Sequence, residues 1–394
     1  MPSQFDQVVE RRGTASLKWT RYGPEVLPLW VADMDFPAPE PIREALHSAI
    51  NHGVFGYEPM TRHMSETVAA RMEKLYRWKV SPEAVVAVPG IVAGFKAAAR
   101  AFCRPGEGVL VQPPVYHPFL EVPEHSGTTK QLAPLRQLND AHVLSYEIDW
   151  THFEGCLNSN GARTGMFLLC QPHNPIGKIY SRPDLERMAE LCLGNDTVIC
   201  SDEIHSELLL GGAQHLPLAS FDPSIAKHSV TLVSASKTFN VVGLACGFAI
   251  IPDRELRARY RRVLHHGGLH VNCLGFCAAQ AAFSGACEAW LVELREYLTA
   301  NRDYLVECVK RELPGVRVTV PAATYLGWLD FGELARAGKV PPDPFQFILN
   351  QAKVALNPGP EFGPGGNNFV RINFGCPRTI LREALQRIKI ALAR

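Results

Sequence analysis

The chain has 394 residues, of which 46% are hydrophobic and 20% are charged, so it is long enough for two or three globular domains and is not disordered as a whole. Forty Lys and Arg residues against 39 Asp and Glu give a net charge of +1, which excludes the basic field that binds nucleic acids or acidic membrane surfaces. The longest apolar run, residues 241–251, is shorter than the roughly 18 residues of a membrane helix.

The first residues lack a basic start followed by an apolar core, and the 11 cysteines are scattered without a CxxC pair. Both features predict a cytoplasmic protein with reduced thiols. A cluster of His and Cys between residues 265 and 277 lacks the spacing of known zinc sites, so we expect no metal.

Residues 1–45 are rich in proline and predict an irregular N-terminal arm that packs with a small C-terminal domain. Residues 46–285 alternate helical stretches with short, apolar, β-branched runs. The predicted strands of this region are Val109–Gln112, Met166–Cys170, Thr197–Cys200, Thr231–Ser234 and Gly247–Ile251. This alternation predicts an α/β fold, with a three-layer domain built on a largely parallel sheet.

Residues 286–394 show a different pattern. A helix predicted over residues 286–313 is followed by strands at 316–320, 325–330 and 369–373 and by a terminal helix. A loop rich in glycine and proline, residues 357–366, separates the last two strands. The pattern predicts a smaller α+β domain.

Chemically distinctive side chains follow four of the predicted strands. Tyr116 comes after the first strand, Asn174 after the second, Asp202 after the third and Lys237 after the fourth. Because ligands bind beyond the carboxyl ends of parallel strands, these four side chains meet if their strands are neighbours in the sheet.

The four side chains suit pyridoxal 5'-phosphate. Lys237 supplies the amine that reacts with the cofactor's aldehyde, and Asp202 supplies the carboxylate that keeps the ring nitrogen protonated. Asn174 is a donor for the ring oxygen, and Tyr116 is an aromatic side chain that stacks on the ring.

A phosphate site is also present in the pattern. Gly90, Ile91 and Val92 open a helix that runs to about residue 101, and a glycine turn entering a helix N-terminus binds anions. The hydroxyl groups of Ser234 and Ser236 add donors beside Lys237.

Eight stretches in the same order extend this pattern over nearly the whole chain. They are Leu29–Phe36, Phe55–Tyr57, Pro113–Tyr116, Pro172–Pro175, Ser201–His205, Ser234–Asn240, Tyr325–Asp330 and Arg371–Phe374. With them the chain resembles the fold-type-I pyridoxal-phosphate enzymes of the aminotransferase-like superfamily, and within these the bacterial cystathionine β-lyase and carbon–sulfur lyase group.

The resemblance implies further roles. Lys237 holds the cofactor and moves the Cα proton, while Arg371, together with Asn174, binds the substrate carboxylate. Tyr57 reaches the cofactor phosphate of a neighbouring subunit, which implies a homodimer with shared active sites. His205 lies where the lyases carry a histidine beside the ring, although a purely structural histidine is an equal alternative.

Two positions depart from the patterns of the relatives. Many aminotransferases carry a phosphate-binding arginine eight residues after the lysine, and this chain has Ala245 there. The lyases usually carry an asparagine where this chain has Gln171.

The resemblance implies a carbon–sulfur β-lyase that eliminates a thiol from an S-substituted L-cysteine, either cystathionine or a secondary-metabolite conjugate, to give pyruvate and ammonia. An aminotransferase, or a decarboxylating or oxidative enzyme with the same cofactor, is the alternative, and a regulatory protein without turnover is a third. Tyr116, a candidate catalytic residue, His205 and water are alternative proton donors to the leaving thiolate.

Overall fold

Two large sheets organise the chain, of which the computed structural model describes residues 3–139, 143–158 and 161–394. The strands are β1 Leu27–Pro28, β2 Val85–Val88, β3 Gly108–Val111, β4 Thr129–Leu132, β5 Arg136–Asn139, β6 Val143–Glu147, β7 Thr164–Cys170, β8 Val198–Asp202, β9 Ser229–Val233, β10 Gly247–Ile250, β11 Arg317–Thr319, β12 Leu326–Asp330, β13 Val354–Ala355, β14 Asn357–Pro358 and β15 Phe369–Asn373.

Helices cover the sheets and connect their strands. They are α1 Leu17–Thr20, α2 Glu40–His52, α3 Arg62–Tyr76, α4 Ile91–Phe102, α5 His117–Ser126, α6 Trp150–Leu157, α7 Arg182–Gly194, α8 Pro223–Lys227, α9 Ala235–Thr238, α10 Arg254–His266, α11 Cys273–Phe283, α12 Glu288–Glu312, α13 Gly332–Arg336, α14 Pro344–Phe347 and α15 Arg378–Leu392. Within the part of the chain that is described, no helix is long and apolar enough to cross a membrane.

The first sheet has seven strands in the order β2-β10-β9-β8-β7-β3-β4. Strands β4, β3, β7, β8 and β9 pair in parallel, and β10 is antiparallel to both of its neighbours. Every residue of β7 and β9 is buried, because helices cover both faces of the sheet. The predicted α/β fold with a largely parallel sheet is confirmed, and the four strands β3, β7, β8 and β9 are neighbours, as the convergence of their end residues requires.

The second sheet has six strands in the order β14-β15-β12-β11-β6-β5. Its C-terminal strands lie close to the predicted bounds. Strands β5 and β6 come from the middle of the chain, and β6 pairs in parallel with β11. The division into an arm of residues 1–45, a large domain of 46–285 and a small domain of 286–394 stays a prediction, and this sheet joins strands from both sides of residue 285.

Helix α12 anchors the end of strand β15 through a buried asparagine. The side-chain Nδ2 of Asn301 donates to the carbonyl oxygens of Phe374 and Cys376 at 2.9 and 2.8 Å. Its Oδ1 accepts from Nε of Arg378 at 2.6 Å. Since Asn301 is fully buried, these bonds fix the chain just after β15, the strand that carries Arg371.

The N-terminal arm contains a 3-10 turn at Gln4–Asp6, the short helix α1, the first residues of α2 and the two-residue strand β1, which pairs in parallel with β13. A buried ion pair holds it: Nζ of Lys18 lies 2.7 Å from Oδ2 of Asp35, and neither side chain is more than 2% exposed. Arg11 and the indole of Trp19 also donate to Asp35, at 2.6 and 2.9 Å. The network fixes the irregular segment of residues 30–36, which leads into the candidate site.

We expect Lys18→Met to lower the free energy of unfolding by about 3 kcal/mol, because it leaves a buried carboxylate without one of its two cationic partners. Lys389→Met is the matched control, since Lys389 makes a 2.8 Å ion pair with Glu312 at an exposed position, where solvent screens the pair and its loss is expected to change the free energy of unfolding much less. Urea unfolding of both variants measures the difference. Equal losses would contradict the role given to Lys18.

Candidate active site

A cavity of about 230 Å³ lies at the carboxyl ends of β7, β8 and β9, where the sequence predicts the chemistry. Nine of the predicted site residues line it: Gly90, Ile91, Val92, Tyr116, Asn174, Asp202, His205, Ser236 and Lys237. Ala32, Pro89, Ala93, Cys170, Ile204, Val242 and Ala245 complete the wall. The fold therefore brings together predicted site residues that are up to 147 positions apart in the sequence.

Lys237 lies on the short helix α9, which directly follows strand β9. The N-cap residue Ser234 accepts from the backbone N–H of Ser236 at 3.0 Å and so starts this helix. The Lys237 amine donates to the carbonyl oxygen of Ala32 at 2.6 Å. Burial lowers the pKa of Lys237 to about 8 and nearby Arg371 lowers it too, while Asp33 and Asp202 act in the opposite direction. A substantial fraction of the amine is therefore neutral and nucleophilic near neutral pH.

Asp202 ends strand β8 and is also buried. Its Oδ1 accepts from the backbone N–H of Ile204 at 3.1 Å. Burial raises the pKa of Asp202 to about 7, against the opposing effects of that hydrogen bond and of the Lys237 charge. A protonated ring nitrogen placed in the cavity would favour the ionised carboxylate, which is the chemistry that the sequence predicts for this residue.

His205 lies three residues beyond Asp202, with its ring 6.0 Å from that of Tyr325 in an edge-to-face arrangement. Burial lowers the pKa of His205 well below its usual range, and the charges of Lys237 and Arg371 add to the effect, so the imidazole is neutral. Among the described residues its buried Nδ1 has no hydrogen-bond partner. An unsatisfied polar atom in a cavity wall is suited to a polar ligand group.

Arg371 lies on strand β15 of the second sheet and meets the cavity through Asn174. One terminal nitrogen, Nη1, donates to Oδ1 of Asn174 at 3.0 Å. The other, Nη2, donates to the carbonyl oxygen of Trp30 at 2.9 Å and to Oδ1 of Asn357 at 2.5 Å. All three acceptors are neutral, and burial lowers the pKa of Arg371 to about 10.

A buried guanidinium without a carboxylate partner is costly, and the described part of the chain provides Arg371 with none. Its Nε also has no hydrogen-bond partner among those residues. A carboxylate arriving with a substrate would supply both the charge and the acceptor atoms that a guanidinium binds best.

The opposite end of the cavity has the features of an anion site. Gly90 precedes helix α4 with φ of 101°, a conformation that favours glycine, and a Cβ at this position would point into open space. The first turn of α4 lines the cavity, and N–H groups of a helix's first turn lack intrahelical partners. Ser236 also lines the cavity, whereas Ser234 is not part of the lining, and its hydroxyl donates to the carbonyl oxygen of Cys246 at 2.6 Å.

The two predicted tyrosines lie in different places. The backbone N–H of Tyr116 donates to the carbonyl oxygen of Asn174 at 3.0 Å, and its side chain lines the cavity, where burial raises the pKa of the phenol. Tyr57 is fully exposed and lies outside the cavity lining of its own chain. Its predicted role toward the site of a second subunit stays a prediction.

Several contributors to the site could not be predicted from the residues themselves. Ala32 acts through its carbonyl oxygen, which also accepts from the hydroxyl of Tyr325 at 2.8 Å. Asn357 holds Arg371 from the short strand β14, at the start of a segment that the sequence predicts only as a loop near the substrate arginine. The only sequence signal for Ala32 is its place in the stretch Leu29–Phe36, because a backbone carbonyl has no residue-type signature. Ala245, where many aminotransferases carry arginine, lies in the cavity wall.

Comparison with known proteins gives the family. The model of "Aminotransferase class I and II" matches residues 24–388. Cystathionine beta-lyase PatB of Bacillus subtilis is 41% identical over 99% of this chain and 100% of its own. The structure of OvoB is 40% identical, covers 98% of both chains and has a TM-score of 0.90. That of the PLP-bound C-S lyase from Staphylococcus hominis is 28% identical, covers 100% of this chain and 99% of its own, and has a TM-score of 0.91.

The chain therefore belongs to the class I and II aminotransferase family. It is a fold-type-I pyridoxal-phosphate enzyme. The residues present fit this cofactor: a partly buried lysine with a lowered pKa, a buried carboxyl group, an unsatisfied imidazole nitrogen and a glycine-led helix N-terminus surround one cavity. Among residues 3–139, 143–158 and 161–394, no group of three or more His, Cys, Asp and Glu residues could hold a metal ion.

We expect the rate at which the apoenzyme attaches the cofactor covalently to rise with pH, with a midpoint near 8, because only the neutral Lys237 amine reacts. The measurement mixes apoenzyme with pyridoxal phosphate from pH 6.5 to 10.5 and traps the adduct by borohydride reduction at each pH. The Lys237→Ala variant is the control and is expected to trap none at this site. A midpoint near that of an ordinary exposed lysine would contradict the effect of burial.

Proposed function

We propose that this protein is a pyridoxal-phosphate-dependent carbon–sulfur β-lyase that converts an S-substituted L-cysteine to a thiol, pyruvate and ammonia. The observation that carries the proposal is one cavity lined by Lys237, Asp202 and His205, with Arg371 bonded to Asn174 in its wall. The chain is also 41% identical to a protein named cystathionine beta-lyase. The PLP-bound C-S lyase of Staphylococcus hominis shares the fold over the whole chain.

The residues divide the reaction between the two ends of the cavity. Arg371, held by Asn174 and Asn357, binds the substrate carboxylate and so fixes the orientation of Cα. Asp202 would hold the cofactor's ring nitrogen, and Gly90 with the first turn of α4 would hold its phosphate. Tyr116 would cover one face of the ring.

Lys237 moves the proton of the reaction. When bound, pyridoxal phosphate acts as an electron sink for the bond pair left at Cα. The Lys237 amine accepts the Cα proton, the electron pair forms the Cα–Cβ double bond, and the Cβ–S bond breaks with its pair on sulfur. Because the pKa of Lys237 is lowered to about 8, the amine is able both to take and to return a proton near neutral pH.

Sulfur departs as a thiolate, which requires a proton donor within the site. His205 and Tyr116 line the cavity and are the two side chains available for this role, with water as the third donor. The lowered pKa of His205 leaves a neutral imidazole, whose ring carries one N–H.

The proposed enzyme is a homodimer with shared active sites. Residues 53–59 form an exposed, irregular segment in which Val54 and Phe55 are 69% and 55% exposed beside the fully exposed Tyr57. An exposed apolar segment of this kind is typical of a protein interface. A twofold partner that covers it would let Tyr57 enter the second subunit's site at the phosphate end.

The eleven cysteines are all free, which agrees with a location in the reducing cytoplasm.

We expect the cofactor-loaded protein to release thiol and pyruvate in equal amounts from L-cystathionine or from other S-alkyl and S-aryl cysteines. In Lys237→Ala both products are expected to fall by at least about a thousandfold, because the base at Cα is gone. Absorbance assays for thiol and for pyruvate measure the two products separately. Failure of every substrate in the panel to give thiol would overturn the lyase proposal.

Mixing two inactive variants tests the shared site. In a hybrid dimer, Tyr57→Ala and Lys237→Ala place both defects in the same site if Tyr57 acts across the interface, so the other site is native. Random re-association of equal amounts is then expected to recover about a quarter of wild-type activity. Lys237→Ala re-associated with Asp202→Ala, both within one chain's cavity, is the control. Recovery equal to that of the control would show that Tyr57 does not serve the partner.

A further inference from the structure

A second, larger cavity lies against the candidate active site. It is an open groove of about 810 Å³, which we call the outer groove. Three parts of the chain form it: the N-terminal arm with Leu17, Arg21, Tyr22 and Trp30, the start of helix α5 with His117, Leu120, Glu121 and Glu124 together with Lys130, and the C-terminal region with Phe345, Gln346, Leu349, Leu356, Asn357, Pro358 and Glu361.

The outer groove and the cavity of Lys237 share one wall. Consecutive residues Tyr116 and His117 line the two sides, with their rings 4.8 Å apart. In the same way Ala32 lines the inner cavity and Trp30 lines the outer groove. The inner cavity and the outer groove are therefore adjacent along this wall.

Arg371 lies at the junction of the two spaces. Its Nη1 bonds Asn174, a residue of the inner cavity, and its Nη2 bonds Trp30 and Asn357, residues of the outer groove. Asn357 continues outward, since its Nδ2 donates to Oε2 of Glu361 at 3.4 Å. A substrate carboxylate bound by this guanidinium is therefore held next to the wall that separates the two spaces.

The groove wall offers aromatic faces and charges together. The rings of Tyr22 and Trp30 lie 6.0 Å apart, edge to face, and the guanidinium of Arg21 lies 5.5 Å from the Trp30 ring. The indole is fixed because its Nε1 donates to the carbonyl oxygen of Lys18 at 3.2 Å. Flat groups stack well on such rings, and Glu121, Glu124 and Glu361 provide acceptors around them.

We propose that the outer groove binds the group carried on the substrate's sulfur, and that this group is a bulky substituent with a planar ring rather than a short aliphatic chain. The inference rests on the proposed function. A volume of about 810 Å³ falls in the range of about 300–1,000 Å³ found for pockets that enclose whole ligands, which is more room than a methyl or homocysteine chain requires.

Binding without turnover tests the groove. Cofactor-loaded Lys237→Ala protein is titrated calorimetrically with S-methyl-L-cysteine and with S-(2-naphthylmethyl)-L-cysteine, and the titrations are repeated after adding Leu349→Trp, which narrows the groove. We expect the added change to weaken binding of the naphthylmethyl compound by at least about tenfold and that of the methyl compound by less than about twofold. Ile390→Trp, on the outer surface of helix α15 and 45% exposed, is the matched control and is expected to change neither.

Two results would overturn the proposal. One is equal weakening of both compounds by Leu349→Trp, which would mean that the residue acts on the common amino acid part. The other is unchanged binding of the naphthylmethyl compound in a variant that still binds the cofactor with a native spectrum. If wild-type protein releases no thiol from any S-substituted cysteine, the lyase proposal fails, while the comparison of dissociation constants still decides the role of the groove.

Discussion

Two cationic side chains, the buried Arg371 and the partly buried Lys237, have only neutral oxygens as direct partners, and the chemistry of the site depends on this arrangement. Lys237 donates to the carbonyl oxygen of Ala32, and Arg371 donates to Asn174, Asn357 and the carbonyl oxygen of Trp30. Burying charge without a counter-ion is unfavourable, so the pKa values fall to about 8 for Lys237 and about 10 for Arg371. The same imbalance favours the binding of anions. A phosphate at the helix end and a carboxylate at Arg371 each relieve part of the cost of burial.

The irregular segment of residues 30–36 provides carbonyl oxygens that accept hydrogen bonds from both cationic groups. Asn240, which follows strand β9 of the first sheet and lies three residues after Lys237, hydrogen-bonds the backbone of Met34 and Phe36. From the second sheet, Asn373 donates to the carbonyl oxygens of Val31 and Asp33, at 2.6 and 2.7 Å. Because both sheets hold this one segment, its carbonyl groups at Trp30 and Ala32 stay in position between Arg371 and Lys237.

The sequence predicts the inner cavity well because its residues follow strands. Asn174, Asp202 and Lys237 each come directly after an apolar, fully or largely buried run, and parallel strands that are neighbours bring such ends together. The alternation of strands and helices predicts five of the seven strands of the first sheet, including β10, but it misses the two edge strands β2 and β4. Strands β5 and β6 in the second sheet were not foreseen, because pairing across more than 170 residues leaves no local signal.

The roles of backbone groups, and the surfaces formed between distant segments, also could not be predicted from the sequence. The carbonyl of Ala32 is chemically identical to every other carbonyl in the chain, so only its position gives it a partner. The outer groove is formed by three distant stretches, and no pattern within any one of them predicts a pocket. Tyr57 shows the same limit in another form, since its proposed partner belongs to a second copy of the chain.

Carbon–sulfur β-elimination is tested by measuring, in one reaction, where the amino group and the sulfur of the substrate end up. Cofactor-loaded enzyme is incubated with L-cystathionine or a bulky S-conjugate of cysteine, with and without an added 2-oxo acid. We expect a β-lyase to release thiol, pyruvate and ammonia in equal amounts, and we expect these yields not to depend on the 2-oxo acid. Conversion of the added 2-oxo acid to its amino acid, with sulfur retained on the substrate carbon, would contradict this expectation and identify an aminotransferase.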